Sequence, residues 1–323
     1  MRSRSPGSCR ERFGAGYCEA TGGEAEVRTR ILSVDDFPYG RLEVKEFGSG
    51  KPSVLVTAAI HGGEATGVFA ARLLSQYLAD VQLSGTVLVV EVSNPQGFRA
   101  RQRCSPYDAL DLNRVFPGKP DGTPTQVMAH QLAALAEEAD YVVDLHCCGP
   151  HGSPYILGLF RESEGARELA KMLALPVAVQ SAGTEGQLFV HVSRQGKPAV
   201  IIELPGGGEA GTVDLVAGRR AADAIRGLLV HLGMMPGVRP QSGPQFYGPL
   251  ERVVAKDSGL FIPQVAPGEV VKGGETLGTI EDRPVIIEKA GVCTVVRPPS
   301  FVFVGEGLAS FAPQQEVHEE VGC

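Results

Sequence analysis

Between residues 54 and 232 short apolar runs alternate with segments of helical spacing. Residues 54–60 form a nearly continuous apolar run, bounded by Gly-Ser-Gly-Lys-Pro before it and His-Gly-Gly after it. That pattern predicts a strand buried on both faces. Residues 65–78 then carry Val68, Phe69, Leu73, Leu74 and Tyr77 at the spacing of one helix face. The same reading predicts strands over 86–92, 141–145 and 199–202. It predicts helices over 126–139, 163–173 and 212–232, the last ended by Gly233 and Pro236. Strands alternating with helices over this length predict an α/β domain across residues 27–235. Its sheet is expected to be mostly parallel and covered on both sides.

The pattern changes after Gly233. Residues 234–248 are rich in proline and glycine and read as a linker. From 245 to 313 short strand-like runs follow one another, at 260–265, 276–280, 284–287, 292–296 and 301–304, with little helical periodicity. This stretch predicts a small all-β module. Residues 1–26 are rich in Arg, Gly, Ser and Glu with no apolar run. They read as a disordered extension without a secretory signal. Residues 314–323 read as a frayed tail.

Composition narrows the function classes. The 323 residues carry a formal net charge of −7 with acids and bases well mixed, and no basic run tracks a phosphate backbone. Nucleic acid is not an expected partner. No apolar stretch reaches the roughly 18 residues of a membrane helix. The seven cysteines are scattered, odd in number and without a CxxC pair, which favours a reducing cytoplasm over a disulfide framework.

Four segments carry candidate chemistry. His61-Gly62-Gly63-Glu64 follows the first buried strand, at the carboxyl end where open α/β sheets bind ligands. Asp144-Leu145-His146 ends another strand. His61, Glu64 and His146 make a three-ligand set of the kind catalytic zinc takes, leaving one position for water. Alternation along the strand puts Asp144 on the side of His146, as an orienting partner, and Cys147 on the other side. The third segment runs from Asn94-Pro95 through Arg99, Arg101 and Arg103 to Asp111-Leu112-Asn113-Arg114-Val115-Phe116-Pro117-Gly118. It shows few helix signals, and Arg99 and Arg101 read as solvated. The fourth is Glu203, closing an apolar strand ahead of Pro205 and three glycines. Each segment alone also fits an ordinary strand end or polar loop.

In this order the four segments resemble the succinylglutamate desuccinylase/aspartoacylase family of zinc-dependent amidohydrolases, whose fold is similar to that of zinc carboxypeptidases. The match rests on HxxE, NP…R…DLNRVFPG, DLH and a strand ending in Glu, over roughly residues 54–231. The β-rich tail is similar to the family's C-terminal module. The resemblance implies one zinc held by His61, Glu64 and His146, with Glu203 as general base. It implies Arg103 on the scissile carbonyl and Asn113 with Arg114 on the substrate carboxylate. The expected substrate is a small N-acylated amino acid, and the forms of the DLNR and glycine segments lean toward N-acyl amino acid deacylases, N-acetyl-diaminobutyrate among their substrates. A homo-oligomer is compatible with this reading. Two departures stand out: Gly63 replaces the family's usual Asn, and Cys147 and Cys148 follow DLH where hydroxyl residues are frequent. The competing readings are a carboxypeptidase-type peptidase, a non-catalytic metal- or ligand-binding protein of the same fold, and a cysteine hydrolase, for which no paired base is evident.

Overall fold

The structure, a computed structural model, describes residues 27–33 and 40–315. The extension over 1–26 and most of the tail lie outside the described residues.

The large domain is built on a ten-stranded sheet. Its strands are β1 (Val27–Ser33), β2 (Arg41–Ser49), β3 (Ser53–Ala58), β4 (Gly85–Val90), β5 (Tyr141–Gly149), β6 (Tyr155–Gly158), β7 (Val177–Gln180), β8 (Ala199–Gly207), β9 (Thr212–Val213) and β10 (Gln245–Tyr247). The order is β1-β2-β4-β3-β5-β8-β6-β7-β10, with β9 beside β8. The central run β4-β3-β5-β8 is parallel, as is β6-β7-β10. Strands β1, β2 and β9 and the β6–β8 pairing are antiparallel. The expected mixed, mostly parallel sheet is therefore present.

Central strands are apolar on both faces because both faces are covered. Helices α1 (Ala65–Leu78), α4 (Glu164–Leu173) and α6 (Leu215–His231) lie on one side, packing Leu74, Leu78, Leu169, Ile225 and Leu228 against Val54, Val56, Val143 and Ile202. Helices α3 (Pro124–Glu138) and α5 (Leu188–Arg194) cover the other, with Met128, Leu132, Phe189 and Val192 against Leu55, Val142 and Ile201.

Two local expectations are corrected. The helix expected from 212 begins at Leu215: Asp214 caps it, its carboxylate accepting from the Val216 and Ala217 N–H groups, and Thr212–Val213 pair with β8 instead. The segment after Asn94 contains a short helix, α2 (Pro95–Ala100), whose start is fixed by the Asn94 side chain accepting from the Gly97 N–H and by Pro95 in the first turn.

The β module consists of two four-stranded antiparallel sheets: β11 (Glu251–Val254), β18 (Gly307–Pro313), β16 (Gly291–Val296) and β13 (Val270–Val271), facing β15 (Arg283–Ile287), β14 (Glu275–Ile280), β12 (Gly259–Pro263) and β17 (Ser300–Val302). Phe261, Leu277, Ile280, Val302 and Phe311 fill the space between them. Although it lies in the proline-rich stretch, β10 extends the large sheet through β7. The module abuts that edge through Tyr155, Val177, Val179, Tyr247, Val292 and Ala312. It also grips the loop after β5: the Ser153 N–H donates to the Thr294 carbonyl at 2.9 Å, and the Val296 N–H to the His151 carbonyl at 3.1 Å.

Candidate active site

Three neighbouring parallel strands bring the candidate residues together at their carboxyl ends. His61 and Glu64 follow β3. His146 lies on β5 and Glu203 on β8, and these two are direct cross-strand partners. Paired residues on adjacent strands project to the same face, so sheet register alone sets Glu203 beside His146.

His61, Glu64 and His146 are all buried, and one donor atom from each lies within 4.8 Å of the others. His61 Nδ1 is 2.8 Å from Glu64 Oε1 and His146 Nδ1 is 3.0 Å from Glu64 Oε2. The opposite ring nitrogens face carboxylates: His61 Nε2 is 3.1 Å from Asp111 Oδ1, and His146 Nε2 is 2.7 Å from Asp144 Oδ2. The Thr57 hydroxyl donates to Asp144 Oδ1 at 2.7 Å. A neutral imidazole has one N–H. If each ring donates Nε2–H to its aspartate, both Nδ1 lone pairs point at the Glu64 carboxylate, acceptor against acceptor. A cation among these atoms removes that conflict, and the outer carboxylates are the orienting partners that metal-ligating histidines use. Glu203 Oε2 is buried without a hydrogen-bond partner, and buried Glu64 Oε2 faces only His146 Nδ1. An orphaned carboxylate oxygen beside two imidazoles and a second carboxylate is a donor set that fits a divalent ion.

The titration behaviour of the protein groups agrees. Burial works to lower the His61 pKa, but hydrogen bonds to Asp111 and Glu64 override it and raise the value. At His146 burial is likewise overcome, by the charges of Asp144 and Glu64, and the pKa is raised well above the ordinary histidine value. Burial acts to raise Glu64, yet the two histidines bring it down to about 2. Burial pushes Glu203 up to about 7, opposed by the His146 charge and helped by that of Glu64.

The loops around this cluster are in backbone contact, which accounts for their glycines. A Cβ on Gly62 would lie 1.9 Å from the Gly97 carbonyl carbon, one on Gly63 would lie 3.0 Å from Gly208 O, and one on Gly207 would lie 2.9 Å from Gly63 O. Gly63 thus faces the glycine run after Glu203, so the departure at this position goes with a close approach of two loops. Together they border a cleft of about 420 Å³ lined by His61, Glu64, Arg101, Arg103, Cys147 and Glu209, among others.

Arg103 donates Nε–H to Asp111 Oδ2 at 2.9 Å, and the other oxygen of Asp111 faces His61. Asp111 therefore ties the arginine to the histidine, a role the sequence reading did not assign. Asn113 is buried, and its Oδ1 accepts from the Leu188 N–H at the start of α5. Arg114 is exposed, with Nη1 donating to the Asn113 carbonyl at 2.7 Å. Neither Asn113 nor Arg114 borders the cleft just described. Arg101, read from sequence as solvated, does border it, with its backbone in the left-handed region at φ 54°. Such a conformation costs a non-glycine residue about 1–2 kcal/mol.

Cys147 packs partly against the core and also lines the cleft, while the Cys148 thiol lies 3.4 Å from the Leu204 carbonyl. Burial, with nearby carboxylates, pushes Cys147 up to about 12 and raises Cys148 as well. A free thiol titrates near ~8.5, so at neutral pH the thiolate fraction of Cys147 is about 3000-fold lower. Iodoacetamide at pH 7.5 should leave both thiols unmodified in the folded protein and label them after denaturation, as read by peptide mass spectrometry. Rapid labelling of either in the native state would restore the cysteine-nucleophile reading. Cys104, Cys147, Cys148 and Cys293 are unbridged, so no disulfide occurs among the described residues.

Residues 50–229 match the succinylglutamate desuccinylase/aspartoacylase catalytic domain. The chain is 32% identical over 317 residues to the N-alpha-acetyl-L-2,4-diaminobutyric acid deacetylase of Halomonas elongata, covering 90% of this chain and 91% of that protein. Its fold superposes on the succinylglutamate desuccinylase/aspartoacylase of Rhodobacter sphaeroides with a TM-score of 0.72 at 27% identity, covering 90% and 95% of the two chains. The product-bound ectoine utilization protein EutE of Ruegeria pomeroyi gives 0.74 at 25% identity, covering 94% and 100%. With HxxE, DLH and Glu203 converging at the ends of β3, β5 and β8, with Asp111 of DLNRVFPG against His61, and with more than half its length matched, the chain belongs to the succinylglutamate desuccinylase/aspartoacylase family.

Proposed function

We propose that this protein is a zinc-dependent deacylase that hydrolyses the amide bond of a small N-acylated amino acid. The observation that carries the proposal is the cluster itself: two imidazoles and a carboxylate converging in a buried pocket, with an unpartnered carboxylate, Glu203, set beside it by strand register. The deacetylase name of the Halomonas elongata relative supports amide hydrolysis and makes Nα-acetyl-2,4-diaminobutyrate one candidate substrate.

His61, Glu64 and His146 would hold the ion, with Asp111 and Asp144 fixing the ring orientations. A bound zinc supplies Lewis-acid polarisation of the amide carbonyl and lowers the pKa of water toward ~7. Glu203 takes a proton from the attacking water at its free carboxylate oxygen and passes it to the leaving amine nitrogen. A carboxyl held near neutrality suits both transfers. Arg103, its Nε anchored by Asp111, keeps its terminal N–H groups for the carbonyl oxygen as that oxygen gains charge. Arg114 and Asn113 are assigned to the substrate carboxylate on the strength of the DLNR resemblance. Arg114 would reach it by swinging from the Asn113 carbonyl, while Asn113 supports the loop through Leu188.

The test is metal analysis of the purified protein together with a panel of N-acetyl and N-succinyl amino acids, assayed before and after chelation. About one zinc per chain, with turnover abolished by chelation and restored by zinc, is the expected result. Metal-free protein that binds N-acyl amino acids without hydrolysing them, even when supplied with zinc, would favour the binding-protein reading. Cleavage of C-terminal residues from peptides in preference to the panel would favour the peptidase.

A further inference from the structure

One sheet of the β module, β15-β14-β12-β17, is apolar on both faces. Its inner face buries Phe261, Leu277, Ile280 and Val302 against the other sheet. The residues between them point outward, and they are not polar either. Register sets Leu260 beside Phe301, Ile262 beside Thr279 and Thr276 beside Ile286 on the outer face. None of the six is charged, in a chain whose residues are 21% charged. Phe301 is 73%, Ile262 47% and Ile286 46% exposed, and Phe303, two residues on from Phe301, is 68% exposed. An antiparallel sheet with one face in water alternates apolar and polar residues. Leu260-Phe261-Ile262 and Phe301-Val302-Phe303 instead have the composition of strands covered on both sides, as β3 is.

Three features say what covers the outer face. The edge of the sheet is blunted, because Pro298 and Pro299 lead into β17 and have no N–H to offer a new strand. The face, not the edge, is therefore the surface to be covered. The charges at its border are already satisfied: Arg283 pairs with Asp257 at 2.9 Å, and the Glu281 carboxylate accepts the Leu260 N–H at 2.7 Å. Neither pair is free to select a charged partner, whereas an identical neutral face meets this one with no charge left unpaired. The exposed parts of these side chains amount to about 600 Å² per copy, at the top of the range for a monomer. Two copies would bury about 1,200 Å², the lower end of specific interfaces.

We propose that the outer face of β15-β14-β12-β17 is a two-fold interface on which two copies of this chain pack sheet against sheet. The proposal is independent of the deacylase reading. The other sheet of the module meets the large domain through Val292 and Ala312, on the side away from this face. Pairing therefore leaves the cleft beside His61 and Glu64 open.

The test is sedimentation velocity with light scattering on the zinc-loaded full-length protein from about 1 to 200 μM, a range matched to an interface of this size. The average mass should rise from 34.1 kDa toward twice that value. Each copy carries a net charge of −7, so salt raised from about 0.05 to 0.5 M should strengthen the dimer by screening repulsion. Phe301→Glu and Ile262→Lys should each stay monomeric at the highest concentration, with kcat/KM and melting temperature unchanged, because both side chains lie outside the core. Val270→Glu, at a residue 63% exposed on the other sheet, is the control and should dimerise as the wild type does. A wild type that is monomeric throughout overturns the proposal, and flotation of that monomer with phosphatidylcholine vesicles would give the face to a lipid surface. A dimer that survives both Phe301→Glu and Ile262→Lys, that is lost equally in Val270→Glu, or that weakens with salt, is held by another surface and overturns it as well.

Discussion

Glu203→Gln should lower kcat by about 10⁴-fold while zinc content, KM and fold stay near those of the wild type. The substitution keeps the shape of the side chain and removes only its ability to take and return a proton. Its position is fixed by strand β8, where it lies beside His146 in register, so the amide should occupy the same place. The carboxylate has one oxygen buried without a partner, and burial holds its pKa at about 7. A group so poised exchanges protons with both water and amine near neutral pH, and an amide cannot. The expected signature is a fall in kcat and kcat/KM together, with one zinc retained by elemental analysis. Wild-type turnover in the variant would dismiss Glu203 as the base. Loss of zinc along with activity would instead place Glu203 among the ligands.

Much of this site was legible in the sequence because its parts depend on strand ends. A nearly continuous apolar run closed by His-Gly-Gly-Glu, and another closed by Asp-Leu-His, announce buried parallel strands with polar groups at their carboxyl ends. The structure places β3 and β5 side by side. The alternation argument for Asp144 held for the same reason, since two residues along a strand return to the same face. Helix α2 was missed although Asn94-Pro95 is a cap followed by a first-turn proline, a signal outweighed by the short length and the lack of apolar periodicity. Strand β2 escaped because only Leu42, Val44 and Phe47 mark its buried side among charged neighbours. What spacing could not reveal was contact between loops distant in sequence. The bridge from His61 through Asp111 to Arg103 spans 50 and 8 residues. The arrival of Arg101 and Glu209 in one cleft likewise depends on glycine-to-backbone contacts with no periodic signature.

Zinc removal should lower the melting temperature, and the gap between loaded and stripped protein should widen as pH rises from 5.5 to 8. In the metal-free protein His61 and His146 have pKa values raised above 6.5 by their carboxylate partners, against the opposing effect of burial. Protonated histidines so stabilised contribute fully below about 6.5, and that contribution is lost as pH climbs through their folded-state values. Glu203 acts in the same direction. Its carboxyl is raised from 4.5 to about 7, so the folded state holds that proton more tightly and loses stability as pH rises across this interval. The metal-loaded protein follows the opposite slope, because ion binding needs neutral imidazoles and ionised carboxylates and so strengthens with pH. With free zinc at about 1000 times the dissociation constant the stabilisation is about 4 kcal/mol. For a domain of this size that is about 10 °C in melting temperature. His146→Ala should abolish the gap at every pH, and because the gap is a difference between two samples of one variant, any cost of the substitution to the fold cancels. A gap that stays constant with pH would mean that zinc binds away from the His-Glu-His cluster. A gap that survives in His146→Ala would remove this histidine from the ligand set.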